Sequence, residues 1–340
     1  MGSLNNHRQK AKIVSLAVAL VLTLGLGFFI GYYVVYSGDD QTYRPIRIAE
    51  VGIPEGSLLY IAYAKGFFGA EGVNVSLSPF AAGRDALSGL VSGQAELATV
   101  ANTPIVRNAL EGKRFKVLAT LGSSKVMGIM ADKKTVPSPA ALIGKRIGVP
   151  FDTAGEYFLD LLLARYSIPA DKVVRVNIDP NGMLSALLQN RVHAAVTWNP
   201  YIAQIRQALG KGFVYFSGQE FYVLSWNLVA SESFASDTRR SSAILRALDR
   251  AREYMEVSPE DSKSLVANAL RVEQRLLEPY WADMEFDTTL DQSLILAMES
   301  QAKWYTKRER YRGQTVPNFL DYLSLDPLTQ VSPEKVGVIR

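Results

Sequence analysis

"MLSALLQNRVHAAVTWNP", residues 183–200, decides the fold, because a similar string, "ALSGLVSGQAELATVANTP", already occupies residues 86–104. Each reads as a helix, a short apolar strand and a polar tip carrying an asparagine, Asn102 in one and Asn199 in the other. The likeness extends backwards along the chain. "VGIPEGSLLYIAYAKGFFGAEGVNV" from Val51 and "IGVPFDTAGEYFLDLLLARYSIPADKV" from Ile147 each read strand, loop, helix, and the two copies lie about 96 residues apart. Strand, helix and strand in succession make a βαβ unit with a right-handed crossover and a mainly parallel sheet. Two α/β lobes are therefore predicted.

In such sheets ligands bind beyond the carboxyl ends of the strands, where loops enter helix N-termini rich in unpaired N–H groups. Four loops carry suitable chemistry at those ends: Ile53-Pro54-Glu55-Gly56-Ser57, Phe80-Ala81-Ala82-Gly83-Arg84-Asp85, Phe151-Asp152-Thr153-Ala154-Gly155 and Trp198-Asn199-Pro200. Gly83 and Ala154 permit close approach to backbone amides, Ser57 and Thr153 offer hydroxyls, and Arg84 offers a forked guanidinium for an oxyanion. Pro200 suits the first position of a helix, with Asn199 before it as the cap, leaving the Trp198 indole free to face the crevice. The expected ligand set is Ile53, Phe80, Gly83, Arg84, Asn102, Thr103, Asp152, Thr153, Ala154, Trp198, Asn199 and Tyr222, with Trp226 beside Tyr222 as an alternative. Taken singly, each loop is equally well explained by turn and capping roles; their coincidence carries the argument.

Composition narrows the function. The chain has 340 residues, 48% hydrophobic and 21% charged, which is ordinary globular chemistry with room for two lobes. A net charge of +4, with basic residues spread along the chain, does not point to nucleic acid. "KWYTKRERYR" at 303–312 is basic and aromatic but reads at helical spacing as a solvated face with buried rings. The absence of cysteine removes disulfides, thiol nucleophiles, Cys-ligated metals and a lipid-modified N-terminal cysteine. No cofactor is expected.

Ile13 to Tyr36 carries no charge, and its roughly 24 residues span about 36 Å as a helix, enough for the bilayer core. Arg8, Lys10 and Lys12 precede it and Asp39 and Asp40 follow. The positive-inside bias then predicts a cytoplasmic tail over 1–12, a transmembrane anchor over 13–36, a linker over 37–43, and everything beyond outside the cytoplasm. Cleavage as a signal peptide is disfavoured by the length and the missing small-x-small site.

"AYAKGFFGAEGVNVSLSPFAAG", "ALSGLVSGQAELATV", "LIGKRIGVP", "VTWNPYIAQI" and the final "PNFLDYLSLDPLTQVSPEKVGVIR", in this order and spacing, resemble the periplasmic solute-binding proteins of nitrate, sulfonate, taurine and thiamine-pyrimidine import systems. The resemblance implies a two-lobed type II periplasmic-binding-protein fold, here preceded by one transmembrane helix. It implies crossings near Lys125 and Ser217, with lobe one at 44–124 and 218–340 and lobe two at 125–217. It further implies capture of a small anionic or neutral solute by hinge closure and delivery to the permease and ATPase of an ABC importer. The family often has an acidic residue after the tryptophan; Asn199 here disfavours a solute carrying an ammonium group placed as in taurine.

Two other functions stay open. A ligand-sensing receptor subunit for a membrane signalling partner would look alike. The eukaryotic thiamine-pyrimidine synthases share these signatures but need an active-site histidine, a pyridoxal-phosphate lysine and a cysteine-rich motif. This chain has only His7 and His193, and the latter reads as a strand-entry residue. No Ser-His-Asp set, HExxH or Walker loop is present, so an enzyme is not expected. The carboxylates Glu50, Glu55, Asp85, Asp152 and Glu156 read as solvated loop charges.

Overall fold

A computed structural model describes residues 44–339. The predicted tail, anchor and linker over 1–43 lie outside the described residues. Among the described residues no helix is long and apolar enough to cross a membrane.

The strands are β1 (Ile46–Val51), β2 (Val75–Phe80), β3 (Leu97–Ala101), β4 (Lys116–Ser124), β5 (Gly128–Asp132), β6 (Arg146–Val149), β7 (Val174–Asn177), β8 (Ala194–Thr197), β9 (Phe213–Ser217), β10 (Leu224–Ala230), β11 (Met284–Asp291) and β12 (Val336–Gly337). They form two mixed sheets, ordered β12-β11-β4-β10-β3-β1-β2 and β7-β6-β8-β5-β9. The repeated units make the parallel parts. β1 pairs with β2 and β3, and β6 with β7 and β8, all parallel. Antiparallel β10 and β4 extend the first sheet, and β5 and β9 the second. The chain leaves the first sheet after Ser124, enters the second at Gly128, leaves it after Ser217 and returns at Leu224.

The helices used below are α1 (Ser57–Ala64), α2 (Gly83–Val91), α3 (Asn102–Leu110), α4 (Ala154–Arg165), α5 (Met183–Leu188), α6 (Tyr201–Leu209), α7 (Thr238–Val257), α8 (Pro259–Leu270) and α9 (Gln292–Tyr305). Their local logic is ordinary. Thr153 caps α4 by accepting from the Gly155 N–H, and Phe158, Leu159, Leu162 and Leu163 bury one face. Asp237 caps α7 in the same way through the Arg240 N–H, and Ile244, Leu245, Leu248 and Ala251 recur at helical spacing towards the core. Ser258, at the cap position of α8, makes no side-chain capping bond; Pro259, Glu260 and Asp261 in the first turn are left to start that helix.

Two features of the C-terminal third were not legible. β11 is rich in polar residues, and it joins β4 through alternation that these residues obscure. The segment before it also leaves the first sheet: Leu276, Tyr280 and Trp281, with Met284 at the start of β11, pack with Met130, Ile202 and Ile205 of the second core. The chain thus touches both cores on this side of the crossings.

Candidate functional site

The loops after β1 and β8, the carboxyl end of β3 and the starts of the helices that follow β2, β3 and β6 meet at a cavity of about 20 Å³, room for about one water molecule. Its wall is formed by Ile53, Gly83, Ala101, Pro104, Met127, Thr153, Ala154, Trp198, Leu224 and Trp226. Both sheets contribute. Gly83 opens α2, Pro104 sits in the first turn of α3, and Thr153 and Ala154 cap and open α4. Three helix N-termini therefore converge on one small space, where orphan N–H groups and the macrodipole favour negative charge.

The two indoles finish the site. Trp198 and Trp226 are 7% and 4% exposed, and among the described residues neither Nε1 has a hydrogen-bond partner. An indole N–H donates only. None of the ten lining side chains carries a charge, and the one hydroxyl is occupied: Thr153 donates to the Pro150 carbonyl at 2.6 Å and accepts from the Gly155 N–H at 3.2 Å. The lining side chains can therefore donate to a ligand far better than they can accept from one. Gly83 is needed for this closeness, since a Cβ there would lie 3.1 Å from Val100 and 3.4 Å from the Trp226 ring.

Of the expected ligand residues, Ile53, Gly83, Thr153, Ala154 and Trp198 line the cavity, and the other seven do not. Arg84 turns away: it donates to the Phe151 carbonyl at 2.6 Å and to the Asp179 carboxylate, so its fork is already filled. Asp152 pairs with Arg107 at 2.9 Å. Thr103 donates to Gln301 at 3.0 Å, and Asn102 accepts from Asn227 at 2.7 Å. Phe80 packs beside Gly89, where a Cβ would meet its ring at 2.9 Å. Tyr222 is buried against Tyr157 and Phe158, and Trp226, the alternative, takes the place expected of it. Asn199 is buried with no hydrogen bond from either amide atom among the described residues, so it does not cap. The helix begins at Tyr201 after a cis Asn199-Pro200 peptide, with Pro200 itself at the cap position. Met127, Leu224, Ala101 and Pro104 were missed; the position of Pro104 two residues beyond the Asn102 tip was the available signal.

His193 stays structural. Its Nδ1 accepts from the Arg146 N–H at 3.1 Å, and burial together with the Arg146 and Lys145 charges pushes its pKa down.

The carboxylates are less exposed than expected. Glu50, Glu55 and Glu156 are all buried, each with at least one hydrogen-bond partner, while the second Glu55 oxygen, Oε2, has none among the described residues. Glu50 accepts from the Tyr60 hydroxyl at 2.6 Å, Glu156 from Arg308 at 2.8 Å, and Glu55 from Ser124 at 2.6 Å, where the chain leaves the first sheet. Burial raises the pKa of Glu55 above its ordinary 4.5, against the opposing Ser124 bond. A raised carboxyl pKa stabilises the fold fully below the unfolded value, and that contribution is lost as pH climbs through the folded one. Glu55→Gln removes the charge, so its unfolding temperature should exceed the wild type's at pH 8 and match it at pH 4. An equal difference at both pH values would contradict the ionisation argument.

A profile of the protein family described as NMT1/THI5-like matches residues 54–262, more than half of the chain. The taurine-binding periplasmic protein of Escherichia coli (strain K12) is 29% identical over 146 residues, 42% of this chain and 45% of that protein. Among solved structures, the alkanesulfonate-binding protein SsuA from Xanthomonas axonopodis pv. citri, bound to MOPS, superposes with a TM-score of 0.70 at 17% identity, covering 87% of this chain and 98% of its own. The periplasmic nitrate-binding protein NrtA from Synechocystis PCC 6803 gives 0.64 at 12% identity, covering 85% and 88%. The fold is that of the periplasmic binding proteins.

Proposed function

Because the chain belongs to the NMT1/THI5-like family, we propose that it is the extracytoplasmic solute receptor of an ABC importer, closing two lobes on a compact oxyanion. The lobes are 44–124 with 218–340, and 125–217, turning about the crossings near Lys125 and Ser217. Its partners are the permease and ATPase of that importer, and Ile13–Tyr36 holds it at the outer face of the cytoplasmic membrane. The observation that carries the solute class is a wall of donor-only side chains: two tryptophans whose indole N–H groups have no partner among the described residues, beside three helix N-termini, with no charged side chain among the lining residues. An anion there is stabilised by fixed dipoles, while an ammonium group would be desolvated without a partner. The small volume favours the headgroup of nitrate or of a short sulfonate over an aryl sulfonate.

Ethanesulfonate and taurine separate these ideas, since they differ only by an ammonium group. In thermal unfolding of the purified full chain, nitrate or ethanesulfonate should raise the midpoint saturably, and taurine should bind about 10-fold or more weakly than ethanesulfonate. Tighter binding of taurine would contradict the donor-only reading.

A further inference from the structure

Resting on the solute-receptor reading above, we infer that Arg84 and Arg107 are gate residues: they fasten the two walls of the cavity together and set how long the closed form lasts, without touching the solute. Both arise from helices of the first sheet whose starts line the cavity, α2 at Gly83 and α3 at Pro104. Both hold the same short loop of the second sheet. Arg84 donates to the Phe151 carbonyl at 2.6 Å and to Asp179, with Asp85 at 3.4 Å; Arg107 donates to Asp152 at 2.9 Å. Phe151 and Asp152 immediately precede Thr153 and Ala154, which line the cavity. Fixing the loop therefore fixes that wall.

The geometry suits a device that closes and opens. The two guanidinium side chains are only 17% and 18% exposed; Asp179 is 54% exposed, so the Arg107–Asp152 pair and the Arg84 bond to the Phe151 carbonyl are the better shielded of these contacts. Asp152 stands at φ 58°, a left-handed conformation that costs a non-glycine residue free energy and persists only where its surroundings hold it. Here they do: its carboxylate is held by Arg107 across the cleft, and its N–H donates to Glu156 at 2.8 Å. Separating the walls removes the Arg107 contact and lets the loop relax, which gives two discrete states and not a continuum.

The test uses the full chain and begins without any solute. Because the sequence contains no cysteine, Ser88→Cys and Ser185→Cys place one spin label on α2 and one on α5, both at exposed positions. Pulsed distance measurement should give one narrow distribution in the parent. Arg84→Ala with Arg107→Ala should add a longer, broader population, and Arg84→Lys should do so partly, because an ammonium cannot fork to a carbonyl and a carboxylate together. With the anion that gives the largest thermal shift, the double variant should release it about 10-fold faster or more, with the association rate changed far less. Unchanged distances in the double variant would overturn the gate. Lost binding of Arg84→Ala with unchanged distances would make Arg84 a solute ligand instead, which also overturns it. If no anion binds but the distances lengthen, the fastening stands and the solute class is what fails.

Discussion

Replacing both Trp198 and Trp226 by Phe is expected to weaken anion binding by about 100-fold or more, with each single replacement costing about 10-fold. Phenylalanine keeps an aromatic ring against the wall and removes the N–H together with part of the bicycle, so its loss carries a smaller packing contribution than alanine's would. Trp198 and Trp226 are the only lining residues whose side-chain donor has no partner among the described residues. Removing one leaves the anion short of a donor in a site that water enters poorly, which is the costly direction of the hydrogen-bond asymmetry. Trp198→Ala would also empty a large volume and lower stability, so calorimetric titration of the Phe variants is the cleaner comparison. Affinity unchanged in the double Phe variant would show that the indoles are structural.

The second large effect is expected at the return crossing. Gly218→Ala should destabilise the protein by about 1–3 kcal/mol, since its Cβ would stand 2.1 Å from the Phe158 ring and 3.2 Å from the Met127 carbonyl oxygen. Little room exists to adjust. The Gly218 N–H donates to that same carbonyl at 2.9 Å, and Phe158 is held between Phe221, stacked at 5.9 Å, and Tyr222 at 5.5 Å. Because α4 carries both Phe158 and the cavity wall at Ala154, the strain reaches the site as well as the fold. Phe158→Leu should relieve the clash, so the double variant should be more stable than the two single losses add up to. Strict additivity in urea unfolding would remove Phe158 from the explanation.

The parallel cores were legible in the sequence because they are written twice. The two copies fix strand, helix and strand, and backbone chemistry at a strand's end follows from the fold, so Gly83, Thr153 and Ala154 could be placed at the cavity without knowing any side-chain direction. Long polar side chains were not legible. Arg84 stands next to a lining residue, but its reach extends to Phe151 and Asp179 of the other sheet, and only the assembled structure brings that partner near. Buried Glu55 belongs to the same class, because Ser124 lies far along the chain. Trp226 and Tyr222 lie in one short segment, and nothing local tells which of the two rings faces the cleft. β11 escaped because it has no repeat partner and its hydroxyl and acidic residues hide the alternation that makes it a strand.

The most direct measurement is a proton–nitrogen spectrum of the four tryptophan indoles while the full chain is titrated with nitrate or ethanesulfonate. The peaks are assigned by the single Phe replacements. The donor-only site predicts that the Trp198 and Trp226 resonances move together and saturate at the calorimetric stoichiometry, while the other two stay nearly still. Saturable binding that leaves both of these resonances unmoved would contradict it.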